Sequence, residues 1–317
     1  MAKLNILSNF DVDGWVAPEV GADISIGDVP GDKVKIWDSH ITKANAIFPE
    51  LLKLLKSMAS EGKERAVISV SGGSGVGKSG VAAVLAHYLK SIGIGTYTMS
   101  GDNYPRRIPM YNDAERLRIF RESALNKMIT DGVYTKEHFD IVHDLQKKGM
   151  DADKENIKQY PWFESYLGGG IEGLRGYLGT PNEQEFEKVE EIISNFKNGE
   201  DKIWLKRMGR TDTELWYDEI DFSETGILII EWTHGNSDFF SGVDIPVLLN
   251  STPTETLQYR IARNRDGEAD SPFVTRVLEI EQRKLHEQAH KAKIILSKAG
   301  ELLSFEQYTK IMENEDI

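Results

Sequence analysis

The chain has 317 residues, with 38 Lys and Arg against 51 Asp and Glu, a net charge of −13; 40% of it is apolar and 28% charged. That composition excludes a disordered chain, and the acidic excess argues against a general nucleic-acid binder, which needs clustered Lys and Arg. The absence of Cys excludes disulfides, Cys-zinc sites, iron–sulfur clusters and thiol nucleophiles.

No apolar run approaches the ~20 residues of a membrane span. The first residues, MAKLNILSNFDVDGW, lack the apolar core of a signal peptide, so a cytoplasmic protein without membrane contact is expected. Residues 1–40 are rich in Gly, Asp and Pro and predict loops with short strands. Residues 41–60 predict an amphipathic helix with Ile47, Phe48, Leu51, Leu52, Leu54 and Leu55 as its stripe. Pro49 is expected in its first turn or as its breaker.

An α/β pattern begins near residue 61. Ala66–Val70 predicts a buried parallel strand, followed by a Gly-rich turn and a helix carrying Val81, Val84, Leu85, Tyr88 and Leu89 on one face. Further strands are predicted at 96–100, 227–230, 245–249 and 294–296. Strands alternating with helices imply a parallel, five-stranded sheet flanked by helices. Thr180-Pro181-Asn182-Glu183 and Thr252-Pro253-Thr254-Glu255 match capping boxes, and Ser271-Pro272 matches a cap. They predict helices at 181–197, 253–264 and 272–292. The stretch 105–220 is too long for a simple crossover and is expected to be a mainly helical, substrate-binding insert. The organisation expected is an extension over 1–60 and one domain over 61–317, with a lid region at 260–292.

Gly72-Gly73-Ser74-Gly75-Val76-Gly77-Lys78-Ser79 fits the phosphate-loop pattern of P-loop NTPases. Glycines let backbone N–H groups turn inward around phosphate oxygens, and the helix that follows adds its positive end. Residues Gly73 to Gly80 are therefore candidate nucleotide contacts. Lys78 is the candidate for the β- and γ-phosphates and the Ser79 hydroxyl for Mg²⁺. ATP and Mg²⁺ are the cofactors this implies.

Two other motifs compete. His286-Glu287-Gln288-Ala289-His290 matches H-E-x-x-H, a zinc-hydrolase pattern, but its flanks are charged, as on a solvated helix. Gly168-x-Gly170-x-x-Gly173 matches a dinucleotide fingerprint without a clean strand before it. It predicts a loop, with a role as substrate lid, and the neighbouring Tyr160, Trp162, Phe163 and Tyr166 would suit a ring substrate.

Phosphoryl transfer also needs a base at the acceptor hydroxyl, an acid near the metal and cations over the transferred group. In a doubly wound sheet these lie past the carboxyl ends of strands. Asp102, Glu231 and the trio Arg260, Arg263 and Arg265 occupy such positions. GGSGVGKS (72–79), SGDNY (100–104), LIIEW (228–232) and DIPVLLNSTPTETLQYRIARNRD (244–266) together resemble the uridine kinase/phosphoribulokinase group of P-loop kinases. The resemblance, over about 66–100 and 181–300, implies Asp102 as general base, Glu231 as a metal-linked acid and the three arginines as a lid over ATP. It also aligns Lys206 to Arg210 with a basic substrate-binding segment. Trp232 stands where the group usually has Gly, and the group lacks both the 1–60 leader and the long 130–180 insert. Tyr104, Arg106, Arg107 and Arg210 are candidate substrate contacts.

The sequence thus predicts an ATP-dependent transfer of a phosphoryl group to a hydroxyl of a nucleoside, sugar or sugar acid. A homo-oligomer is compatible with it. The alternatives are a different P-loop small-molecule kinase resembling pantothenate or glycerate kinases, a P-loop NTPase switch without an acceptor, and a zinc hydrolase built on His286, Glu287 and His290.

Overall fold

The computed structural model describes residues 3–21, 24, 27–31, 35–263 and 271–313. Strand β1 (Ala66–Gly72) is buried along its whole length, as its β-branched run dictates. Strands β2 (Thr96–Ser100), β5 (Ile227–Glu231), β6 (Ile245–Leu249) and β7 (Ile294–Leu296) join it in a sheet ordered β2-β5-β1-β6-β7. All of these pairs are parallel. β8 (Leu302–Leu303) closes the edge antiparallel to β7, so the sheet has six strands rather than the expected five. A two-residue edge strand has no periodicity to reveal it. Strands β3 (Lys202–Met208) and β4 (Leu215–Asp221) form a separate antiparallel hairpin, unforeseen inside a segment expected to be mainly helical.

The helices are α1 (Asp38–Ser60), α2 (Lys78–Ser91), α3 (Pro109–Thr130), α4 (Lys136–Lys147), α5 (Asn156–Gln159), α6 (Phe163–Arg175), α7 (Phe186–Lys197), α8 (Pro253–Arg263), α9 (Pro272–Gln288) and α10 (Phe305–Met312). One face of the sheet, with Ile68, Val70, Ile229 and Val247, packs on α1 and α2. The other face, with Val67, Leu228, Ile230 and Trp232, packs on α7 and the hairpin. Alternate strand residues serve opposite faces, as pleating requires. Pro49 lies in the middle of α1 and does not end it; burial of Phe48, Leu51, Leu52 and Leu55 on the sheet holds the helix through its missing N–H.

Helices α3 to α6 form the expected helical lobe around Phe120, Phe163, Tyr166 and Leu174. The glycine motif at 168–173 is part of α6, not a loop or lid. Its small residues let α6 lie against α3. A β-carbon on Gly170 would stand 2.5 Å from the Phe120 ring, and one on Gly173 would stand 2.0 Å from Ser123 Oγ. Phe163 and Tyr166 are buried in this core, and Tyr160 and Trp162 pack against it, so the aromatic group is structural.

Two expected helix starts hold. Thr252 and Glu255 exchange the two bonds of a capping box at α8, and Ser271 Oγ accepts from Val274 N at α9. The third does not: Thr180 Oγ1 donates to Tyr177 O, and α7 begins only at Phe186. Glu183 is drawn instead into an ion pair with Arg116. No helix among the described residues is long and apolar enough to cross a membrane.

Candidate functional site

The phosphate loop leaves β1 at Gly72 (φ 150°) and enters α2 at Gly77 (φ 100°). Gly72 admits no side chain, because a β-carbon there would stand 2.5 Å from Leu249 O. Gly77 has left-handed backbone as the residue preceding α2, and a side chain there would meet the His40 imidazole at 2.8 Å. Gly80 is tighter still, with its notional β-carbon 2.2 Å from His40 Nδ1. The leader helix α1 therefore packs directly on the loop. Lys43 Nζ adds a buried hydrogen bond to Val76 O at 2.8 Å. Burial pushes the Lys43 ammonium down to about 8 and the His40 imidazole down to about 4, leaving it neutral at pH 7.

Lys78 Nζ folds back to Gly73 O at 3.3 Å. Ser79 Oγ donates to Glu231 Oε2 at 2.9 Å, and Ser100 Oγ donates to Glu231 Oε1 at 2.6 Å. Burial pushes the Glu231 carboxyl up to about 7, the Asp102 charge adds to the shift and Lys78 opposes it. Lys78 and Ser79, Asp102, and Glu231, from three separate stretches of the chain, are thus brought to one place at the carboxyl ends of β1, β2 and β5. Asp102 is exposed in a tight turn over Gly101–Asn103. Gly101 lies on the Trp232 indole, with only 2.0 Å for a β-carbon. Trp232, standing where the resembled group usually has Gly, therefore fills the floor beneath the Asp102 turn.

Helix α9 lies over the loop and adds residues that no motif marks. Glu281 and Gln282 line a narrow pocket with Gly73, Ser74, Ser251 and Thr252. Burial pushes the Glu281 carboxyl up to about 7, against the lowering effect of Arg116 and Lys78. Glu183 is fully buried and accepts from Asn112 Nδ2 (3.0 Å), Arg116 Nε (2.5 Å) and Gly179 N (2.6 Å). Burial opposes its charge, but Arg116 and His234 with these donors hold it below the usual carboxylate range. Its cation, Arg116, comes from a helix 67 residues earlier in the chain, so the pair has no local sequence signal.

The four candidate substrate contacts fall in different settings. Tyr104 is buried, its hydroxyl toward Met99 Sδ at 3.6 Å, so it faces the core and no open surface; the expectation of a contact there is corrected. Arg106 is turned to Glu187 at 2.8 Å on α7. Arg107 bonds the Tyr177 hydroxyl at 2.9 Å and remains half-exposed. Arg210 is exposed in the hairpin turn, where its backbone N–H donates to Glu214. Arg207, within the 206–210 segment aligned with a basic substrate-binding stretch, is buried between Asp28 and Asp218. Arg260 and Arg263 lie on α8, and Arg265 lies outside the described residues.

The zinc alternative fails on geometry. α9 ends at Gln288, so His290 lies beyond it in a 3₁₀ turn and the motif is not carried on one continuous helix. His286 bonds Tyr308, His290 bonds its own turn at Glu287 O, and Glu287 pairs with Arg175. Among the described residues no group of three His, Asp or Glu could hold a metal by protein ligands alone.

A stretch of 248 residues, 78% of this chain, is 39% identical to the bifunctional alpha-galactosidase/sucrose kinase AgaSK of Mediterraneibacter gnavus. The chain spans 22% of that protein's length. Similar solved structures include D-glycerate 3-kinase from Cryptococcus neoformans, 13% identical with a TM-score of 0.46, over 83% of this chain and 98% of that one. Phosphoribulokinase from Rhodobacter spheroides is 15% identical with a TM-score of 0.43, over 74% of this chain and 70% of that one. No family model matches the chain.

Proposed function

We propose that the chain is an ATP-dependent kinase that moves the γ-phosphoryl group to a hydroxyl of a small sugar, sucrose being the first acceptor to test. The observation that carries this is the meeting of the phosphate-loop hydroxyl of Ser79 with the strand-end carboxylate of Glu231, beside an exposed Asp102. The choice of a sugar is supported by the likeness to the bifunctional alpha-galactosidase/sucrose kinase.

In this reading the loop amides of Gly73 to Gly80 and Lys78 hold the β- and γ-phosphates. Ser79 and Glu231 offer hard oxygen donors that fit Mg²⁺, an ion that keeps several waters and needs few protein ligands. Bound there, it would neutralise charge on the phosphates. Asp102 takes the proton of the acceptor hydroxyl as that oxygen bonds to the γ-phosphorus. The bond to the β–γ bridging oxygen breaks, and ADP leaves with the electron pair. Arg260, Arg263 and Arg265 are proposed to close over the phosphates. Arg107 and Arg210 are the proposed acceptor contacts. Residues 61–317 form the kinase domain, 105–220 its acceptor lobe, and 1–60 an extension that braces the loop.

ADP release from purified protein, followed over sucrose, other sugars, nucleosides and sugar acids, tests the proposal. Stimulation by sucrose or another sugar supports it; ATP hydrolysis indifferent to every hydroxyl compound favours the switch.

A further inference from the structure

The leader enters the site itself. Residue 28 lies on the irregular leader ahead of α1, yet its carboxylate is 10% exposed and sits at the carboxyl end of β2. Asp28 Oδ1 accepts from Ser100 N at 2.7 Å and from Asn103 Nδ2 at 3.0 Å. Asp28 Oδ2 accepts from the Tyr97 hydroxyl at 3.0 Å and from Arg207 Nη1 at 3.0 Å. Four donors around one carboxylate leave it no free acceptor direction toward a ligand. Its neighbours are what matter. Ser100, whose N–H it holds, donates its hydroxyl to Glu231 and accepts from Asp102 N at 3.3 Å. Asn103 closes the same turn and fixes the hairpin through Met208 N at 3.1 Å. Asp28 therefore grips both ends of the turn that presents Asp102 and the residue that orients Glu231.

We infer that Asp28 is a positioning residue of the phosphotransfer site: through Ser100 it sets the Glu231 carboxylate for the metal–nucleotide, and through Ser100 and Asn103 it sets the Asp102 turn. It acts through these residues and touches no reacting atom. The inference rests on the kinase reading for the reaction, but not for nucleotide binding. A displacement of about 1 Å in such a group can cost about 100-fold in rate.

Two variants separate the halves of the carboxylate. Asp28→Ala removes all four bonds. Asp28→Asn keeps an oxygen for Ser100 and Asn103 and sets an amide against Tyr97 and Arg207. ATP binding is measured by calorimetry with Mg²⁺ and with EDTA, and turnover with sucrose over a range of both substrates. The expectation for Asp28→Ala is wild-type ATP binding in EDTA, loss of most of the affinity that Mg²⁺ adds, and a kcat lowered about 100-fold. Asp28→Asn is expected to keep more of both. A merely structural role would lower the melting temperature without altering the Mg²⁺ dependence. A folded Asp28→Ala protein with the wild-type gain from Mg²⁺ overturns the inference. Should that variant not fold, Asp28→Asn decides: a reduced gain supports the inference and an unchanged one overturns it. Wild-type protein that binds MgATP yet phosphorylates no hydroxyl compound sinks the kinase reading, while the calorimetry still judges Asp28.

Discussion

Lys43 of the leader helix donates a buried hydrogen bond to the Val76 carbonyl of the phosphate loop at 2.8 Å. Val76 lies within the loop proposed to hold the phosphates, so this brace is expected to bear on binding as well as on folding. Lys43→Met removes the donor and leaves a buried acceptor unsatisfied, at about 1–3 kcal/mol. We expect a lower melting temperature and about tenfold weaker ATP binding. Unchanged affinity in the variant would argue that the loop holds its shape unaided.

His40 and Gly80 test the same contact by shape. Gly80→Ala places a methyl 2.2 Å from His40 Nδ1, and overpacking of this kind costs about 1–3 kcal/mol. His40→Ala opens the space, so the double variant should be more stable than the sum of the two single changes predicts. Strict additivity in thermal or urea unfolding would show that the two residues do not meet.

Glu231 and Glu281 give a pH dependence. Both carboxyls are pushed up from 4.5 to about 7 by burial. Between those values the folded state holds protons that the unfolded chain has released, so these groups make the ligand-free protein less stable as pH rises through the window, with no further loss above it. With Glu231 in its proposed place beside the metal, binding of the metal–nucleotide requires it ionised, so MgATP affinity is expected to climb between about pH 6 and 8, with proton release. Calorimetry at pH 6.5 in buffers of different ionisation heat measures the release. Glu231→Gln should abolish its share; an identical release from that variant would count against Glu231.

Asp102 and Lys78 should separate chemistry from binding. Asp102→Asn is expected to bind MgATP normally and lose about 10²–10⁴ in kcat. Lys78→Ala should keep the melting temperature of the ligand-free protein and lose its stabilisation by MgATP. Normal turnover by either variant would remove that residue from its role.

Much of the sheet is legible in the chain because short β-branched runs such as Val67-Ile68 can hardly be anything but buried strands. The loop is legible because its glycines and Lys78 are contiguous. What escapes is non-local. Glu281 and Asp28 come to the site from a distant helix and from the leader, and no spacing links them to Lys78. The β3–β4 hairpin escapes because Trp204, Trp216 and Tyr217 are exposed and its strands lack clean alternation. The glycines of α6 mislead for the opposite reason: a spacing that suits a phosphate turn also suits two helices in close contact.

The most direct measurement is transfer of labelled γ-phosphoryl from ATP to sucrose, comparing wild-type protein with Lys78→Ala. A labelled sugar phosphate formed by the wild type and absent from the variant is the predicted result. Label found only as inorganic phosphate, with sucrose and every other sugar unchanged, would contradict a sugar kinase.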